Sequence, residues 1–130
     1  VKKATLSDFG LHSLELASKI MGNVKIDEMI IIAFQKPCDA GMCKLLSAFI
    51  RCHKIDFFTL TTLIFSVDLL VPFLRSISDI VKSVHISALN LDFDEMGHNN
   101  KRKLETSLKA IVANGGVKTV RILDSKRNEI

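Results

Sequence analysis

A short phrase recurs along this chain. Val81-Lys-Ser-Val84-His-Ile86 returns as Val117-Lys-Thr-Val120-Arg-Ile122. Earlier, Lys25-Ile26-Asp27 returns as Lys54-Ile55-Asp56, followed by Met29 and Ile31 or by Phe58 and Leu60. Each segment is short and rich in β-branched or aromatic residues, and each follows an apolar stretch of helical period. A unit of this size cannot bury its apolar face alone, so copies must stack side by side. The repetition predicts a single domain of four helix-then-strand units, 1–34, 35–63, 64–89 and 90–125.

The first helix is predicted from about Thr5 to Met21, with Leu11, Leu14, Ala17 and Met21 on one face. Thr5 or Ser7 would cap it, and Gly22-Asn23 would end it in the left-handed conformation. The second begins at Asp39 and places Met42, Leu45, Leu46, Phe49 and Ile50 at helical spacing. Leu70, Phe73, Leu74 and Ile77 repeat that spacing in the third, where Pro72 must fall near the first turn or kink the helix. The fourth carries Leu104, Leu108, Ile111 and Val112, capped by Asn99 or Asn100 and stopped at Asn114-Gly115-Gly116. Strands are expected at about 24–33, 54–61, 81–88 and 117–123.

Strands that alternate with helices of this length pair in parallel through right-handed crossovers, which makes the fold class α/β with a parallel sheet. Two architectures meet this description. One is a curved solenoid with helices on one side only; the other is a compact doubly wound sheet with helices on both faces. Val84 and Ile86 alternate with Ser83, His85 and Ser87, and Val120 and Ile122 with Thr119 and Arg121, which favours one covered face. Met29-Ile30-Ile31-Ile32-Ala33-Phe34 does not alternate and reads as buried on both faces. The position of Ile30 and Ile32 discriminates: under a helix in the doubly wound sheet, uncovered in the solenoid.

Composition narrows the class further. With 48% hydrophobic and 25% charged residues, the chain has the make-up of an ordinary globular domain and not of a disordered one. The net charge of +4 is mild, and only Lys101-Arg102-Lys103 and Lys126-Arg127 cluster. Three cysteines without framework spacing fit a reducing, cytoplasmic compartment better than a disulfide scaffold. Phe57 to Leu74 is apolar enough to suggest a membrane span, but Asp68 and Pro72 interrupt it, and a buried strand followed by a buried helix accounts for it better. The Val start leads us to expect a piece of a longer protein.

Each cluster of reactive residues has a plainer explanation beside it. Cys38, Cys43, Cys52 and His53 are zinc-capable, yet their spacing lacks the tight knuckles of structural zinc, and buried thiols are the better reading. Asp92, Asp94, Glu95 and His98 crowd a loop without the order of a calcium site. Lys101 to Lys103 would meet an acidic partner or nucleic acid, but no aromatic residues interleave with them, and a solvated face is the simpler expectation. Gly115-Gly116 precedes a strand, the wrong order for a phosphate cradle. No catalytic constellation, metal set or cofactor motif is legible, so the expectation is a non-enzymatic domain without a cofactor.

On this pattern the chain resembles leucine-rich repeats of the long, ribonuclease-inhibitor-like type, whose strand reads L-x-x-L-x-L-x-x-N/C-x-L. The core positions become Ile26, Met29, Ile31; Ile55, Phe58, Leu60; Val81, Val84, Ile86; and Val117, Val120, Ile122. Their starts lie 29, 26 and 36 residues apart, the last gap taking an insertion from Asp92 to Lys103. The chain departs from the family where Asn or Cys should bond the turn, since it has Phe34, Leu63, Leu89 and Ser125 there, with Asn90 one position late. The resemblance covers about 24–125 and implies a protein-binding module of intracellular adaptor, ubiquitin-ligase-receptor or immune-receptor type. Its partner, another protein, would lie on the concave strand face, along the rows Glu28, Phe57, Ser83, Thr119; Ile30, Thr59, His85, Arg121; and Ile32, Thr61, Ser87, Leu123. The leading partner-binding residues are Glu28, Ile30, Phe57, Thr59, His85 and Arg121. An open last strand would continue into further repeats or meet a second copy. The doubly wound alternative is a regulatory domain or enzyme fragment that puts a ligand beyond the strand ends, near Gln35-Lys36, Thr61-Thr62, Asn90-Asp92 and Asp124-Lys126.

Overall fold

Five parallel strands and three helices make up the named elements of the described residues, which are 2–7, 16, 19, 22, 24–33 and 38–129 of a computed structural model. In chain order they are β1 Lys3–Ser7, β2 Glu28–Ala33, α1 Ala40–His53, β3 Phe57–Thr62, α2 Val67–Ile77, β4 Ser83–Ala88, α3 His98–Asn114 and β5 Thr119–Leu123. The sheet order is sequential, β1-β2-β3-β4-β5, with every pair parallel. Because each crossover steps in the same direction and such crossovers are right-handed, the helices fall on one side of the sheet. Consistently, α1 packs on α2 and α2 on α3.

The first unit differs from expectation. Lys3–Ser7 is a strand paired to β2, so Thr5 and Ser7 are ladder residues and not helix caps. Lys3, Thr5 and Ser7 alternate with Ala4 and Leu6, a period of two that suits a pleat and not a helix. Leu16 and Lys19 are helical, and Gly22 takes a left-handed φ of 61° as a helix stop requires. Leu11, Leu14, Ala17, Met21 and Asn23 lie outside the described residues.

α1 starts where its chemistry predicts. The Asp39 carboxylate accepts from the Met42 N–H at 2.9 Å, and Lys54 closes the helix in the left-handed region. In α2, Leu70, Phe73, Leu74 and Ile77 are all buried. Because the helix begins at Val67, Pro72 falls in its second turn, where it cannot bond the Asp68 carbonyl. Asp68 and Pro72 are both exposed. The N-cap of α3 is Gly97, not Asn99 or Asn100, which lie inside the first turn. At φ 90°, Gly97 adopts a conformation that a side chain disfavours, and this brings the chain out of the 92–96 turn straight into the helix. The same helix ends at Gly115, where a Cβ would sit 2.9 Å from the Ile111 carbonyl and 3.0 Å from the Ser78 side chain.

The core lies between the helices and one face of the sheet. Met29, Phe58 and Val84 form one buried row across the strands, and Ile31, Leu60, Ile86 and Ile122 the next. Leu46, Phe49 and Ile50 of α1, the four buried apolar residues of α2, and Leu104, Leu108 and Ile111 of α3 cover them. Phe73 stands at the centre, its ring 6.1 Å from that of Phe58 and 6.0 Å from that of Phe65. No described helix is long and apolar enough to cross a membrane.

The recurring Lys-Ile-Asp phrase supplies the joints at the N-terminal margin of the sheet. Ile26 and Ile55 are buried, while Lys25 reaches Asp56 at 3.1 Å and Asp27 at 3.6 Å, and Lys82 reaches Asp56 at 3.9 Å. Backbone bonds repeat the pattern, from Phe57 N–H to the Asp27 carbonyl and from Ser83 N–H to the Asp56 carbonyl. The ion pairs join exposed lysines to partly exposed carboxylates and add little stability; the buried isoleucines and the backbone bonds hold the units in register.

Candidate functional site

The face of the sheet opposite the helices has no helix over it among the described residues. Register places its residues in the expected rows: Glu28, Phe57, Ser83, Thr119; Ile30, Thr59, His85, Arg121; Ile32, Thr61, Ser87, Leu123. Ile30 and Ile32 are half-buried, not sealed, which corrects the reading of β2 as a strand buried on both faces. Phe57 is 47% exposed at the margin. Glu28, Thr59 and His85 are half-buried, and Arg121 is exposed. All six leading residues therefore share one surface.

Electrostatics on this face centre on the last strand. Arg121 donates to Glu129 through Nε at 2.7 Å and through a terminal nitrogen at 3.1 Å, a bidentate pair that lowers the Glu129 carboxyl and raises the guanidinium. Glu129 reaches this place because the tail turns back and bridges antiparallel to Leu123. The edge of β5 is thus partly covered by the chain's own tail. His85 sits beside this pair, and burial first and then the Arg121 charge hold its imidazole below the usual range, against the pull of Glu129.

The sequence reading missed two residues of this surface. Leu63 and Leu89 follow β3 and β4 at the next alternate position and are 42% and 49% exposed. In the sequence they stand out only as departures from the Asn/Cys pattern. Counting Phe57, Thr59, Thr61 and Leu63 in steps of two would have placed them here.

Three positions of the alternative site, Asn90, Asp92 and Asp124, carry hydrogen bonds that hold the backbone. Asn90 accepts from the Phe65 N–H at 2.9 Å and donates to the Phe65 carbonyl at 3.2 Å. Asp124, 2% exposed, accepts from the N–H groups of Phe93 at 2.9 Å, Lys126 at 3.0 Å and Asn128 at 2.7 Å. Burial alone would push its carboxyl up, but these donors and the Asn128 amide outweigh it and hold Asp124 below the carboxylate range. Asp92 accepts from Asp94 and Glu95 N–H and pairs with Lys126 at 3.2 Å. Thr62 is buried, and Gln35 and Lys36 lie outside the described residues. The sequential strand order leaves no point of reversal where a doubly wound sheet opens its ligand crevice.

The metal candidates do not converge. Cys38 and Cys43 lie at the start of α1, Cys52 and His53 at its other end, roughly 13 Å away at 1.5 Å per residue. His53 is buried, its Nδ1 bonded to the Val24 carbonyl at 2.8 Å and its ring 4.4 Å from Phe49. Among the described residues, no three His, Cys, Asp or Glu side chains come together to hold a metal. Lys101, Arg102 and Lys103 lie in the first turns of α3, on the helix side of the molecule. Lys103 shares with Asp68, Asp92 and Glu95 an open cleft of about 660 Å³ between α2 and α3. No family model matches the chain, and neither a curated protein nor a solved structure matches it.

Proposed function

We propose that this chain is a non-enzymatic protein-interaction module, an α/β repeat array similar to leucine-rich repeats, whose partner lies on the open strand face. The observation that carries this reading is the uncovered face itself. Phe57, beside half-buried Ile30, offers an apolar anchor, and Glu28, Thr59, His85 and Arg121 give it a polar surround, the arrangement of protein-binding hot spots. The sequential parallel order and the one-sided helices support a solenoid, because they leave a whole sheet face free. Asn90 supports the family likeness: its side chain bonds the backbone of the preceding turn, as the family's Asn does.

The expected partner is another protein, met in the cytoplasm as part of a larger adaptor, ubiquitin-ligase receptor or immune-receptor-type protein. Nucleic acid fits poorly, because Arg121 is neutralised by Glu129 and no basic stripe crosses this face. The test is capture with the immobilised chain, followed by affinity measurement with Phe57→Ala, His85→Ala and Arg121→Ala. Loss of the captured protein with these variants, but not with Lys101→Ala on the helix side, is the expected result. Equal binding by all four would remove the strand face as the interface.

A further inference from the structure

Two of the three cysteines approach each other. Cys38 is held just before α1 by its N–H bond to the Ile64 carbonyl at 2.8 Å and by a parallel bridge to Phe65. Cys43 sits in the first turns of α1, its N–H on the Asp39 carbonyl at 2.9 Å. The two sulfur atoms are 3.8 Å apart, and both residues are buried, 4% and 7% exposed. A disulfide bond, about 2.05 Å long, needs less than about 2 Å of relative sulfur movement here. Cys52 cannot join them, being exposed at the far end of the same helix.

We propose that Cys38 and Cys43 form a two-electron redox site, which a peroxide closes to an intramolecular disulfide and a thiol reductant reopens. The two sulfurs differ in acidity. The hydrogen bond they share lowers the Cys43 thiol, while the same bond and then burial push Cys38 far above the thiol range. Cys43 also lies near the positive end of α1, which favours a thiolate against burial and the Asp39 charge. Its thiolate attacks one peroxide oxygen; the O–O bond breaks, hydroxide leaves and Cys43 becomes a sulfenic acid. Cys38 then loses its proton and attacks the Cys43 sulfur; the S–O bond breaks and hydroxide leaves with that proton as water. The two sulfurs give up two electrons, and one hydrogen peroxide becomes two waters. The link would tie the start of α1 to the segment that pairs with Ile64 and Phe65.

The test treats the folded chain with hydrogen peroxide, alkylates it under denaturing conditions and maps the peptides by mass. Alkylatable thiols should fall from three to one, with two hydrogens lost between Cys38 and Cys43, Cys52 still alkylated, and all three restored by dithiothreitol. In Cys52→Ser the count should fall to zero, and in Cys43→Ser Cys38 should stay alkylatable. Oxidation confined to Cys52, over-oxidation of Cys43 without a link, or a link that forms only once circular dichroism shows unfolding would each overturn the proposal.

Discussion

Phe57 and Phe58 are neighbours in sequence and opposites in environment. Phe57 is 47% exposed on the open face, whereas Phe58 is 1% exposed beneath the helices. The strand pleat alone separates them, since successive side chains point to opposite faces. The same contrast holds between His85 and its buried neighbours Val84 and Ile86. One face therefore carries the stability of the protein, and the other is free to vary in chemistry without unfolding it.

That comparison breaks if the covered face proves dispensable. Phe58→Ala or Phe49→Ala should cost about 3–5 kcal/mol by denaturant titration, through lost burial plus a cavity. Leu46→Ala should cost about 2–5 kcal/mol. An unchanged midpoint for Phe49→Ala would show that α1 does not pack on the sheet.

Asp124 comes next in size. Asp124→Ala leaves the Phe93 and Asn128 N–H groups without their acceptor and should cost about 1–3 kcal/mol. Its folded pKa is depressed, so the unfolded chain binds protons more readily. Its contribution is present above the unfolded value of about 3.9 and is lost as pH falls through the lower folded value. Acid unfolding of the wild type should steepen below about pH 4, and that steepening should weaken in Asp124→Asn.

On the open face the effects on stability should be small. Phe57→Ala should change the unfolding free energy by no more than about 0.5 kcal/mol while weakening partner binding at least about tenfold. A large loss of stability would mean that Phe57 is covered in solution. His85 gives the weakest signal. Its depressed folded pKa contributes stability that is present above the unfolded value near 6.5 and lost as pH falls through the folded value. Because His85 is partly solvated, the fall should amount to a fraction of a kcal/mol, and it should disappear in His85→Gln.

Much of the fold was legible because it rests on local periods. α1, α2 and α3 announced themselves through apolar spacing, and Asp39 marked a helix start that the hydrogen bond to Met42 explains. β1 was not legible: five residues give little room to tell a period of two from the start of a helix, and the apolar residues beyond Ser7 drew the helical reading back over them. The rows of the open face followed from strand register, which the repeated phrase conveys. Leu63 and Leu89 were not legible because they lie just past the strand ends, where the family pattern assigns turn chemistry and the alternation that exposes them runs out.

From β2 onward the sequence by itself determined the helix-strand units, their parallel pairing and which strand residues share a face, because these depend on spacing within about ten residues. The tertiary structure decided which side chains bond across units. Asn90 meets Phe65 from 25 residues away, Asp124 meets Phe93 from 31, and Lys25 meets Asp56 at the N-terminal margin of the sheet. It also brought Cys38 within reach of Cys43 and folded Glu129 back onto Arg121. Such contacts depend on how far each unit slides and turns against its neighbour. That offset is set by the packing of the whole core, and no local period encodes it.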